Sequence, residues 1–120
     1  MLSAREVALA VTKALDEKKG IDIKRLKIDK VSSLADYFVI CTGTGNTHVK
    51  TLSYYAEYTM DPRGEPLLGR EGHRGNSWEL LDFGSVVVHV FTDEARKFYA
   101  LERLWADAEL VDLSGIVMPV

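Results

Sequence analysis

The stretch DYFVICTGTGN, residues 36–46, runs from an apolar segment straight into a turn built on two glycines. Phe38, Val39, Ile40 and Cys41 leave no polar side for water, so the strand they form is covered on both faces. The glycines end it. Val49, Leu52, Ala56 and Met60 or Thr59 then recur at helical spacing over Thr47 to Met60. A strand covered on both faces that feeds an amphipathic helix belongs to an α/β domain, with helices packed on a sheet.

Upstream, Ser3-Ala4-Arg5-Glu6 is a capping box. Val7, Val11, Ala14 and Leu15 follow at helical spacing, and Gly20 is expected to close the helix. IDIKRLKI (21–28) reads as a strand. Its apolar positions switch from odd (Ile21, Ile23) to even (Leu26, Ile28), which predicts a bulge near Lys24 and Arg25. Downstream, residues 61–77 are rich in glycine and proline, with room for one short strand around Leu67 to Glu71. SWELLDFGSVVVHVF (77–91) reads as a hairpin. A turn at Phe83-Gly84 sets Asp82 opposite Ser85, Leu80 opposite Val87 and Trp78 opposite His89. One face then carries Trp78, Leu80, Asp82, Ser85, Val87 and His89, and the other Glu79, Leu81, Phe83, Val86, Val88 and Val90. Thr92 or Asp93 caps a third helix with Phe98, Leu101 and Trp105 on one stripe. Residues 106–120 show no assignable pattern. The expectation is one α/β domain over 1–107, a mixed sheet of about five strands with flanking helices, and a C-terminal tail over 108–120.

The bulk numbers narrow the function classes. A chain of 120 residues, 47% hydrophobic and 28% charged, builds one real core. Its single cysteine, Cys41, excludes an internal disulfide and fits a reducing cytoplasm. No apolar run is long enough to span a bilayer, and the N-terminus has neither a secretory apolar region nor the acid-poor composition of a transit peptide. A net charge of −3 argues against reliance on nonspecific attraction to nucleic acid. Residues 1–92 hold 12 acids and 12 bases, while the last 28 hold 6 acids and 3 bases. That acidic end suits a basic protein partner and repels RNA.

Four motifs invite chemistry. Gly43 to Thr47 joins strand to helix as a phosphate loop does. A dinucleotide fingerprint needs a third glycine where His48 stands, however, and the Gly-Lys-Ser/Thr of a P-loop is missing. The same residues make an ordinary turn capped by Thr44 or Asn46. His48, His73 and His89 lie on separate elements without metal-ligand spacing, so no metal site is expected. Asp82 and His89 share a face, but the pairing above puts them too far apart for a hydrogen bond. His89 is therefore expected as a packed, hydrogen-bonded sheet residue. Trp78, Phe83, Phe91, Phe98, Tyr99 and Trp105 concentrate the large aromatics between residues 78 and 105. Such residues either fill a core or anchor a protein interface.

ADYFVICTGTGNTHV, WELLDFGSVVVHVF and EARKFYALERLW occur in that order, and on them the chain resembles the ribosomal silencing factor (Iojap) family from about Ser3 to Asp107. Two departures are Gly45, where the family usually has serine, and Phe83, where it usually has tyrosine. The resemblance implies a fold similar to nucleotidyltransferases without their catalytic motif. It implies no enzyme activity and no cofactor. The implied partner is the large ribosomal subunit, met through large-subunit ribosomal protein fourteen. The implied role is translational repression under nutrient limitation by blocking small-subunit joining, with homodimers common and little direct nucleic-acid binding. The docking residues it suggests are Trp78, Leu81, Asp82, Phe83, Tyr99, Leu101, Glu102 and Trp105. The competing reading is a small nucleotidyltransferase-like or phosphate-binding enzyme that uses the Gly43–Thr47 loop.

Overall fold

The computed structural model describes residues 2–28, 35–65, 67–72, 77–99 and 109–111. In chain order the elements are α1 (Ala4–Glu17), β1 (Ile21–Lys27), β2 (Tyr37–Gly43), α2 (Asn46–Met60), a 3₁₀ turn (Asp61–Arg63), β3 (Gly69–Gly72), β4 (Trp78–Asp82), β5 (Val86–Thr92), α3 (Asp93–Tyr99) and β6 (Glu109–Val111). They form a single α/β domain around one mixed sheet, ordered β3-β4-β5-β2-β1-β6. The five expected strands are present. The sixth comes from the segment that has no readable pattern: three residues pair antiparallel with β1 at the sheet edge. A strand so short carries too few residues to show a period.

β2 is the central strand, buried at all seven positions. It pairs parallel with β5 and antiparallel with β1. On one face, α1 and α2 pack over Val39, Cys41, Leu81, Phe83, Val86, Val88 and Val90. On the other, Leu26, Ile28, Phe38, Ile40, Phe91 and Ala95 form a smaller cluster, with α3 against β5 and β2. No helix among the described residues is long and apolar enough to cross a membrane.

α1 has the expected capping box: Glu6 N donates to Ser3 Oγ, and the Glu6 carboxylate accepts from Ser3 N. Its other end differs from expectation. Lys19, at φ 63°, takes the left-handed position, while Gly20 N donates to Leu15 O and Lys19 N to Asp16 O. That is a Schellman closure with lysine where glycine is usual. Gly20 is needed for a different reason: a Cβ there would stand 2.5 Å from Cys41 Sγ.

The β1 bulge is real but sits earlier than Lys24–Arg25. The register slips between Ile21 and Lys24, with Asp22 at φ 48°. Arg96 of α3 secures it, donating from Nη1 to Asp22 O and to Thr42 Oγ1, both at 2.7 Å. The bulge is thus stabilised by an element seventy residues away, which local pattern cannot locate.

Candidate functional site

The β4–β5 hairpin carries most of the candidate residues. Its register is Trp78 opposite Phe91, Leu80 opposite His89 and Asp82 opposite Val87. The turn is centred on Gly84-Ser85, one residue later than Phe83-Gly84. Phe83 N donates to Val86 O at 2.9 Å, and Gly84 has φ 87°. Primed hairpin turns require a positive φ at the first central residue, and glycine adopts it without cost. Asp82 Oδ1 accepts from Gly84 N at 2.8 Å and holds the turn. Moving the turn by one residue changes each pairing by two positions. Side chains alternate with period two, so both predicted faces survive.

The face with Leu81 and Phe83 is the core face. Leu81 is fully buried and Phe83 is 4% exposed, so these two hold the hairpin against α1 and α2 rather than meeting solvent. The opposite face shows Trp78, Leu80 and Val87, all half-buried, as a continuous apolar stripe. Half-buried Asp82 and exposed Glu71, whose β3 position pairs with Leu80, flank it with carboxylates. Leu80 and Val87 were legible as members of this face but were not singled out, because aliphatic residues in a sheet usually serve the core. Tyr99 lies on α3, and its side chain is outside the described part. Leu101, Glu102 and Trp105 also lie outside the described residues, as do Phe98's side chain and His73.

His89 is 5% exposed on the same face, beneath the stripe. Its ring meets Phe38 edge-on at 4.9 Å and stacks with Phe91 at 6.0 Å, and Trp78 stacks beyond Phe91 at 6.3 Å. Among the described residues neither ring nitrogen has a hydrogen-bond partner. His89 is packed as expected but not hydrogen-bonded as expected. Burial among aromatic rings pushes its pKa down to about 4, because the charged form is poorly solvated there. It is a neutral element of an aromatic ladder across β4, β5 and β2, and no hydrogen bond joins it to Asp82.

The Gly43–Thr47 loop is occupied by the fold's own contacts. His48 Nδ1 accepts from Thr44 N at 2.9 Å, so Nε2 carries the proton and donates to Lys18 O at 2.8 Å. His48 therefore ties the start of α2 to the end of α1. A Cβ on Gly43 would meet Val49 at 3.0 Å, so that glycine serves close strand–helix packing. The N-cap of α2 is Gly45, without a side-chain cap bond from Thr44 or Asn46. Cys41 is fully buried and its thiol is pushed up to about 12 by desolvation, which makes it a small hydrophobe rather than a nucleophile. Among the described residues, no group of three or more His, Cys, Asp or Glu is placed to hold a metal ion.

Residues 1–119 match the family model described as ribosomal silencing factor during starvation. A ribosomal silencing factor from Halalkalibacterium halodurans is 34% identical over 116 residues, covering 97% of this chain and 99% of that protein. One from Bacillus subtilis is 36% identical over 112 residues, covering 93% and 95%. A crystal structure of a protein from Chromobacterium violaceum superposes with a TM-score of 0.85 at 34% identity, covering 88% of each chain.

Proposed function

The chain belongs to the ribosomal silencing factor family, and from that premise we propose that it is a translational repressor. It docks on the large ribosomal subunit through large-subunit ribosomal protein fourteen and blocks joining of the small subunit when nutrients are short. The observation that carries this reading is the half-buried stripe of Trp78, Leu80 and Val87 on the sheet face opposite α1 and α2. An aromatic anchor beside aliphatic neighbours, bordered by carboxylates, has the make-up of a protein interface with a basic partner. Asp82 takes part at the rim while also holding the turn. Tyr99, Leu101, Glu102 and Trp105, which the family motif suggests, are assigned to the same docking surface in this reading. Leu81 and Phe83 contribute by fixing the hairpin from the core side. The same face serves homodimers, so self-association and ribosome docking exclude each other.

Pull-down with separated ribosomal subunits, followed by light scattering during subunit reassociation, tests the reading. The expected result is retention by large subunits alone and loss of the joining signal in proportion to occupancy. Retention by small subunits, or unimpeded joining at full occupancy, overturns it.

A further inference from the structure

α2 carries three tyrosines on its outer surface, on the sheet side opposite the proposed docking face. Two of them already hold cations. The Arg70 guanidinium lies 4.4 Å from the Tyr54 ring centre and forms an ion pair with Glu57. Lys18 Nζ lies 4.6 Å from the centre of Tyr55. Tyr58 is the most exposed of the three, at 74%, and among the described residues no cation sits over its ring.

The arrangement at Tyr54 repeats one turn later. Tyr54 and Glu57 are three residues apart, as are Tyr58 and Asp61. Asp61 keeps helical dihedrals (φ −57°, ψ −50°), so both pairs follow the same track along the surface. Tyr54, Glu57, Tyr58, Asp61 and Pro62 line a shallow concavity of about 500 Å³. The two carboxylates there differ in their partners, and exposed Arg63 follows Asp61 by two residues. α2 has no basic residue in its last turn, yet two carboxylates stand at the end where the helix dipole is already negative. Arg70 answers Glu57. Asp61 is exposed, and among the described residues its carboxylate has no ion-pair partner.

We propose that the Tyr58–Asp61 concavity binds an arginine or lysine side chain presented by a basic segment of a partner protein. The incoming cation lies on the Tyr58 ring and pairs with Asp61, as Arg70 lies on Tyr54 and pairs with Glu57. Asp61, without an ion-pair partner among the described residues and placed where the helix dipole is negative, favours a cationic side chain over a phosphate, so the occupant is a protein rather than a nucleic acid. This second contact point is independent of the Trp78 face and stands whether or not that face docks on the ribosome.

The test is an NMR titration of the full chain with the blocked tripeptide acetyl-Gly-Arg-Gly-amide, beside the same peptide with neutral citrulline in place of arginine. The arginine peptide is expected to shift the Tyr58 ring and Asp61 amide signals. Citrulline, Tyr58→Ala and Asp61→Asn are each expected to weaken binding by about fivefold or more, while Tyr58→Phe and Trp78→Ala preserve it. Both altered positions are exposed, so the variants fold. Equal binding of the arginine and citrulline peptides, or unchanged arginine binding in Tyr58→Ala and Asp61→Asn, overturns the proposal.

Discussion

Replacing His89 with leucine should flatten the acid side of the stability profile. His89 is 5% exposed, neither nitrogen is hydrogen-bonded among the described residues, and its pKa falls from 6.5 to about 4. The folded state therefore binds a proton less readily than the unfolded chain. Stability is fully present above pH 6.5, declines as pH falls from 6.5 towards 4, and below that has lost the whole contribution. A shift of this size corresponds to roughly 3 kcal/mol in total, and to about 2.5 kcal/mol between pH 7 and pH 4.5. All other groups are common to both proteins and cancel in the comparison. Urea unfolding of wild type and His89→Leu at the two pH values measures the difference directly. Wild type should lose about 2.5 kcal/mol more than the variant on acidification. A double difference below about 0.5 kcal/mol, or an NMR titration that places the His89 pKa near 6.5, would refute the picture of a desolvated, neutral ladder residue.

Two further substitutions probe the α1–β1 junction. Gly20→Ala places a Cβ 2.5 Å from Cys41 Sγ and 3.0 Å from Leu15 O. It should cost about 1–3 kcal/mol in denaturant unfolding, and Cys41→Ala in the same chain should return part of that loss because the sulfur is gone. Lys19→Gly relieves an exposed residue held at φ 63° and should stabilise by about 0.5–1 kcal/mol by the same measurement.

Much of the fold was legible because it rests on local rules. The Ser3–Glu6 capping box, the buried run of β2 and the α2 stripe are each written within a few residues. The two hairpin faces are legible although the turn sits one residue later than expected, since alternation preserves faces under a two-position change of pairing. Other features depend on distant partners. Gly20 looks like a helix stop, but its smallness answers Cys41 across the core. The bulge sits at Asp22 because Arg96 reaches back to it. Among the described residues His89 lacks a hydrogen-bond partner and packs against the rings of Phe38 and Phe91, one of them on a strand about fifty residues away, which a linear sequence does not disclose. At the candidate site the aromatic cluster points to the β4–β5 hairpin. Deciding that Leu80 and Val87 are half-buried on the face opposite α1 and α2, while Leu81 and Phe83 are buried, requires knowing which face α1 and α2 cover.

The central claim is that the sheet face around Trp78 docks on the large subunit. Its most direct test is the affinity of Trp78→Ala for purified large subunits, measured by co-sedimentation, with far-UV and thermal controls for folding. A buried aromatic anchor typically contributes about 2 kcal/mol or more, so binding should weaken about tenfold or more while the protein stays folded. Binding equal to wild type by a folded Trp78→Ala protein would contradict the account and place the docking surface elsewhere.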